Sequence, residues 1–172
     1  MRAVTRLAGS EVPAWFDVKD LPCNDPARYN MDHVKESILE ISALISKEAN
    51  ENYGGNSEKI YLSGFSQGSS LAHVLSMMSN FSDKLKEHPE NLYFKTDVPS
   101  VGGAISTSGV LLPQFIDTLG LIFEPFKLQK AKLKQNEYFG YHGGDDFLYD
   151  YMLVKQSFDQ LWLVVMGSEE FQ

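Results

Sequence analysis

Ser66 stands between two glycines in Gly64-Phe65-Ser66-Gln67-Gly68, a G-x-S-x-G pattern. A serine hydroxyl is a poor nucleophile until a base takes its proton and fixed donors receive the charge that develops on the attacked carbonyl. The spacing suits that chemistry only between a strand and a helix. There a tight, strained turn lifts the hydroxyl clear of the sheet, and the glycines relieve the crowding it causes. The helix that follows turns its N-terminal N–H groups toward negative charge, and the N–H of Gln67 becomes one oxyanion donor. Without that context the same five residues are an ordinary strand-to-helix turn.

A second polar cluster, His142-Gly143-Gly144-Asp145-Asp146, gathers an imidazole and two carboxylates within five residues. As a metal corner it is poor, because adjacent ligands with no second cluster cannot surround an ion. Taken by itself it reads as a polar turn capping the next helix. Four histidines are available in all: His33, His73, His88 and His142.

The elements that must position these residues are legible in the hydrophobic pattern. From Met31 to Asn52, Val34, Ile38, Ile41 and Ile45 recur at helical spacing, and Gly54-Gly55 ends the run. Lys59 to Ser63 reads as a short strand, and Leu71, Val74, Leu75, Met77 and Met78 predict a mostly buried helix over residues 67–79. Ser82 to Asp97 is polar and contains Pro89, which predicts a surface excursion. Val101 to Ser106 and Glu137 to Tyr141 read as a second and a third strand, Phe147 to Gln160 as a helix, and Leu161 to Met166 as a fourth strand. Strands alternating with helices imply a mostly parallel sheet with helices on both faces. Parallel strands end together, so Ser66, Ser106-Thr107-Ser108 and the 142–146 cluster are expected on one rim.

With 172 residues the chain suits one domain, residues 1–172, with a sizeable core. Hydrophobic residues at 43% and charged residues at 22% argue for a globular protein rather than a disordered one. A net charge of −8 argues against nucleic acid as a partner, and the richest basic stretch, Lys127 to Lys134, reads as a solvated face. Cys23 is the single cysteine, which excludes an internal disulfide and fits a reducing, cytoplasmic setting. No secretory leader is read at the start of the chain, and no run is long enough to span a bilayer. Membrane contact is expected to be peripheral at most.

Several segments together resemble the acyl-protein thioesterase/carboxylesterase family of α/β-hydrolases, also described as phospholipase/carboxylesterases. They are the nucleophile sequence with its Phe65 and Gln67, Arg2-Ala3-Val4-Thr5, Val12-Pro13-Ala14-Trp15-Phe16-Asp17-Val18, Ser108-Gly109-Val110-Leu111-Leu112-Pro113, and His142 to Asp146. They occur in the family's order over about residues 2 to 150. The resemblance implies hydrolysis of carboxylic thioesters or esters on acylated proteins or lysophospholipids, with no metal or cofactor. It implies that Ser66 is the nucleophile, that the Gln67 N–H is an oxyanion donor, and that the acid is Asp146 rather than Asp145. Leu111 to Phe126 either contributes to the acyl-binding surface, as the resemblance implies, or is ordinary core. Trp15 and Phe16 either line an acyl groove or pack an N-terminal segment onto the sheet.

The chain departs from the family in two places. In these hydrolases the triad runs serine, acid, histidine along the chain. No histidine follows Asp146, and Gln172 falls where the family would run on to its last strand and histidine loop. The opening strands, with the loop that donates the second oxyanion N–H, have no counterpart before Met1. This reads as a domain cut at both ends. Loss of a triad member leaves a residual ~10³–10⁴-fold acceleration over water, so the chain alone is expected to be inactive or very weakly active. A non-catalytic remnant that binds acyl groups or a partner is the rival expectation. Missing front strands would also leave the serine-bearing strand near an open edge, which favours pairing with a second copy.

Overall fold

The computed structural model describes residues 1–21, 25–89, 91, 93–123, 137–146 and 149–166. The first pieces are two short strands, β1 (Arg2–Val4) and β2 (Ser10–Val12), paired antiparallel with Arg2 opposite Val12. This hairpin is separate from the main sheet. Its turn carries Gly9 at φ +77, a left-handed conformation that favours glycine.

Helix α1 (Met31–Asn52) occupies the predicted span. The Asn30 side chain caps it, accepting from the N–H groups of Asp32 at 3.0 Å and His33 at 3.2 Å. Val34, Ile38, Ile45 and Ala49 form the buried stripe. Gly54 and Gly55, at φ +62 and +84, reverse the chain, and the Gly55 N–H closes onto the Ala49 carbonyl at 2.9 Å.

Strand β3 (Tyr61–Phe65) leads through Ser66 into α2 (Gln67–Glu87). The helix is longer than residues 67–79. Phe81 and Leu85 continue the buried repeat of Val74, Leu75 and Met78, so the helix runs on to Glu87. The expected excursion is therefore partly core. Beyond the helix, Asn91 and Phe94 are fully buried, and the Asn91 amide donates to the Leu85 carbonyl at 2.6 Å. Polar neighbours hid these anchors from a reading based on composition.

β4 (Gly103–Thr107) and β5 (Glu137–Tyr141) complete a three-stranded parallel sheet in the order β3-β4-β5. Its last row aligns Phe65, Thr107 and Tyr141, so the three polar clusters follow strands that end together. β3 is an outer strand of this sheet, with one edge unpaired among the described strands. α3 (Pro113–Phe123) packs on α4 (Tyr151–Met166). α4 corrects a second expectation: residues 161–166 continue this helix and are not a fourth strand. An apolar run without a breaker continues the element it follows, and nothing between Gln160 and Leu161 stops the helix. The basic stretch 127–134 lies outside the described residues.

α2 lies across β3 and β4 on the face that carries Leu62, Gly64, Ala104, Ser106 and Tyr138. One core unites α1, α2, α3 and α4 with Phe16, Val18 and Tyr29. Burying each large aliphatic side chain there contributes about 1.5–3 kcal/mol. The opposite sheet face differs from the expectation of helices on both sides. Among the described residues nothing covers Phe65 (70% exposed), Ile105 (41%), Phe139 (64%) or Tyr141 (64%). These side chains alternate with the buried set, as the period-two geometry of strands requires.

Candidate active site

Ser66 has φ 53 and ψ −119, a conformation that is costly for a residue with a Cβ. The neighbouring structure holds it there. Its N–H donates to the Thr107 carbonyl at 3.0 Å, and its carbonyl accepts from the Ser70 N–H at 3.2 Å as α2 begins. Gly64 is required because strand and helix cross so closely that a Cβ would overlap the Gly68 carbonyl. Gly109 is required in the same way, since a Cβ there would run into Ser69 and the Ser66 carbonyl. The strained serine at the mouth of a helix is thus built from both sides.

A cleft of about 680 Å³ opens beside Ser66, lined by Trp15, Glu36, Phe65, Gln67 and Gly68 among others. Its roof is Pro13, Ala14 and Trp15, in a segment that runs on to Asp17. The Gln67 side chain accepts from the Trp15 N–H at 3.0 Å and donates to the Phe16 carbonyl at 3.0 Å. The Ser37 hydroxyl donates to the Trp15 carbonyl at 2.5 Å, tying the same segment to α1. Asp17 anchors the far end, accepting from the Thr5 N–H at 2.6 Å and the Thr5 hydroxyl at 2.7 Å. Burial acts to raise the Asp17 carboxyl, but those two bonds and the nearby His33 outweigh it and hold it below its ordinary pKa. Trp15 lines the cleft, whereas Phe16 is core.

On the same rim, beyond β5, the Asp146 carboxylate accepts from the Tyr149 N–H at 3.0 Å and lies 3.7 Å from His142 Nε2. β3 and β5 are two strand spacings apart, so their ends stand roughly 10 Å from one another. The three clusters thus share the rim where parallel strands end and α2 begins.

Residues 1–85 match the phospholipase/carboxylesterase family. Among curated relatives, a probable SOBER1-like carboxylesterase of Arabidopsis thaliana is 34% identical over 64 residues, which is 37% of this chain and 23% of that protein. Acyl-protein thioesterase 1 of Kluyveromyces lactis is 33% identical over 73 residues, 42% of this chain and 31% of that one. The matched stretches thus span about a quarter to a third of those relatives. The crystal structure of Zea mays acyl-protein thioesterase 2 superposes with a TM-score of 0.64 at 18% identity, covering 96% of this chain and 64% of that one. A SOBER1 variant of Arabidopsis thaliana gives 0.63 at 21% identity, covering 98% and 67%. The likeness to the phospholipase/carboxylesterase family read from the ordered motifs stands, and the fold is that of the α/β-hydrolases.

Against that family pattern, Ser66, Gln67 and Asp146 all reach the rim, but the Ser66 hydroxyl has no hydrogen-bond partner among the described residues. None of the four histidines bonds to it. His33 Nδ1 accepts from the Asp17 N–H at 3.2 Å, and His142 Nε2 faces the Tyr149 carbonyl at 2.8 Å. His73 is buried on α2, where burial pushes its pKa down to about 4, and His88 Nδ1 is buried beyond that helix. Leu111 and Leu112 are fully buried, with Leu112 reaching only a small void beneath Ser66. Sequence reasoning missed the Gln67 side-chain clamp and the Tyr149 bond to Asp146. Gln67 was in view for its backbone, but a contact with Trp15 across 52 residues has no local signal.

Proposed function

We propose that this chain supplies the nucleophile of a serine hydrolase acting on carboxylic thioesters or esters, with acylated proteins or lysophospholipids as the substrate class. The observation that carries the reading is the strained backbone of Ser66 at the start of α2, beside an open cleft. Strain of that kind is held where a hydroxyl has to be presented.

Ser66 attacks the acyl carbonyl, and the tetrahedral oxyanion is received by the Gln67 N–H at the helix N-terminus. Asp146 orients the imidazole that takes the serine proton and later gives it to the leaving thiol or alcohol. That imidazole comes from outside these 172 residues, whose four histidines are engaged or buried elsewhere. The acyl chain lies along the cleft, with Trp15 on its wall, whereas Leu111 and Leu112 belong to the core and do not line it. No metal or cofactor is required, and the setting is cytoplasmic.

The test is hydrolysis of an octanoyl thioester by the 172-residue chain with added free imidazole, beside Ser66→Ala, with folding confirmed by circular dichroism. The expected result is turnover that rises with imidazole and disappears in the variant. A folded chain whose imidazole-dependent turnover is the same in Ser66→Ala overturns the assignment. The lack of a hydrogen-bond partner on Ser66 favours a second reading, an acyl-binding protein without turnover. Saturable binding of octanoate with no Ser66-dependent hydrolysis under any imidazole concentration would select it.

A further inference from the structure

The outer side of β3 pairs with no strand among the described residues. β3 packs on α2 with one face and joins β4 along its other side. Just beyond its end the Ser66 N–H donates to the Thr107 carbonyl at 3.0 Å, so the Ser66 backbone faces β4. Backbone groups of successive strand residues point to alternate sides. Leu62 and Gly64 therefore face β4 as well, and the N–H and carbonyl groups of Tyr61, Ser63 and Phe65 point outward. Outside the β3–β4 ladder, none of these three makes a backbone hydrogen bond among the described residues.

Soluble proteins blunt such edges with lysine, proline, a bulge or an inward-pointing charge. Ile60-Tyr61-Leu62-Ser63-Gly64-Phe65 carries no charge and no proline, and β3 pairs with β4 residue for residue, without a bulge. Tyr61, Ser63 and Phe65 are all exposed on the uncovered face of the sheet.

An edge of this kind accepts another strand, and β3 is complementary to itself. Laid antiparallel on a second copy about Ser63, it places Ser63 opposite Ser63 and Tyr61 opposite Phe65 of the second copy. In that register Tyr61, Ser63 and Phe65 all occupy hydrogen-bonded positions, so every outward N–H meets a carbonyl. A small side chain sits on the axis, an aromatic pair lies on either side of it, and no like charges are opposed. Any slip of the register sets Tyr61 or Phe65 against residues outside the strand. The contact is isologous, so it uses both β3 edges and closes on itself.

We infer that this chain forms a reversible homodimer by antiparallel pairing of β3 with β3 of a second copy, centred on Ser63. The two three-stranded sheets become one, with both α2 helices on one side and the exposed aromatic face continuous on the other. The five residues of β3 span roughly 17 Å, a contact smaller than a standard interface, so the dimer forms in the micromolar range or more weakly. This inference goes beyond the hydrolytic reading of Ser66 and does not depend on it.

The test is sedimentation velocity of the 172-residue chain over a range of concentrations, beside Ser63→Lys and Ser63→Asp. The Ser63 side chain is exposed, so either substitution leaves the β3–β4 ladder intact while setting like charges face to face across the axis. The native chain is expected to pass from monomer to dimer as concentration rises. Each variant alone is expected to stay monomeric, and an equimolar mixture of the two to dimerise again, because lysine then faces aspartate. A native chain that is monomeric at millimolar concentration, an assembly larger than a dimer, variants that dimerise alone, or a mixture that stays monomeric overturns the proposal. Should a variant fail to fold, amide hydrogen exchange on the native chain decides the matter. The Tyr61, Ser63 and Phe65 amides are expected to exchange at least about tenfold more slowly at concentrations that favour the dimer, with Leu62 and Gly64 changed little. Equal exchange of the three outward amides at low and high concentration overturns it.

Discussion

The side-chain oxygen of Gln67, the residue after the candidate nucleophile, accepts from the backbone N–H of Trp15 at 3.0 Å. In the proposed reaction the backbone N–H of this residue receives the oxyanion, while its side chain holds the roof of the cleft. Replacing it by alanine keeps the first role and removes the second. Gln67→Ala is expected to cost about 1–2 kcal/mol in urea unfolding, from the loss of two part-buried hydrogen bonds. The segment between Pro13 and Asp17 should become more sensitive to limited proteolysis. An unchanged midpoint and cleavage rate would mean that the clamp contributes nothing.

The backbone at Ser66 is held against its preference, at φ 53. Glycine adopts that conformation without a Cβ penalty, so Ser66→Gly is expected to stabilise the fold by about 1 kcal/mol while removing the hydroxyl. Gly64→Ala should act in the opposite sense, destabilising by about 3 kcal/mol or more, because its Cβ would meet backbone that cannot move aside. Thermal unfolding of the two variants checks both signs.

His73 gives the fold an acid sensitivity of definite sign. Burial lowers its folded pKa to about 4, while the unfolded chain titrates near the ordinary value of 6.5. Between those two pH values the unfolded state binds the proton and the folded state does not. Stability is therefore full above about 6.5 and falls toward pH 4, by up to about 3 kcal/mol. In His73→Phe the slope of unfolding free energy between pH 7 and 4 should be smaller than in the native chain. An equal slope would place the sensitivity elsewhere.

Asp17 acts at lower pH. Its folded pKa is depressed by the Thr5 bonds, so its contribution is present above the ordinary carboxylate range and lost as pH falls below about 4. Asp17→Asn should lose stability at pH 7 and show less further loss on acidification. A variant whose deficit grew as the pH fell would contradict that sign.

The uncovered sheet face, with Phe65, Phe139 and Tyr141 all exposed, should bind a hydrophobic dye such as ANS in the native state. The double substitution Phe65→Ser with Phe139→Ser is expected to lower that fluorescence severalfold without changing the far-ultraviolet circular dichroism. Dye binding that persists unchanged would locate it at another surface.

Local rules are written in short stretches of chain, and those stretches were legible. The period of Val34, Ile38 and Ile45 and the glycines at 54 and 55 marked α1 from end to end, because periodicity and turn residues act within a few positions. Gly64, Ser66 and Gly68 announced the strained turn for the same reason: the close crossing of Gly64 on Gly68 lies within five residues. Which surfaces meet is settled between distant segments, and there only the tertiary structure spoke. It carried α2 on to Glu87 because Phe81 and Leu85 found a core, and it kept residues 161–166 helical. It left one face of the sheet uncovered among the described residues and set His73 between Tyr138 and Phe158. Burial and charge state depend on packing across the fold, and no window of sequence contains the partners that decide them.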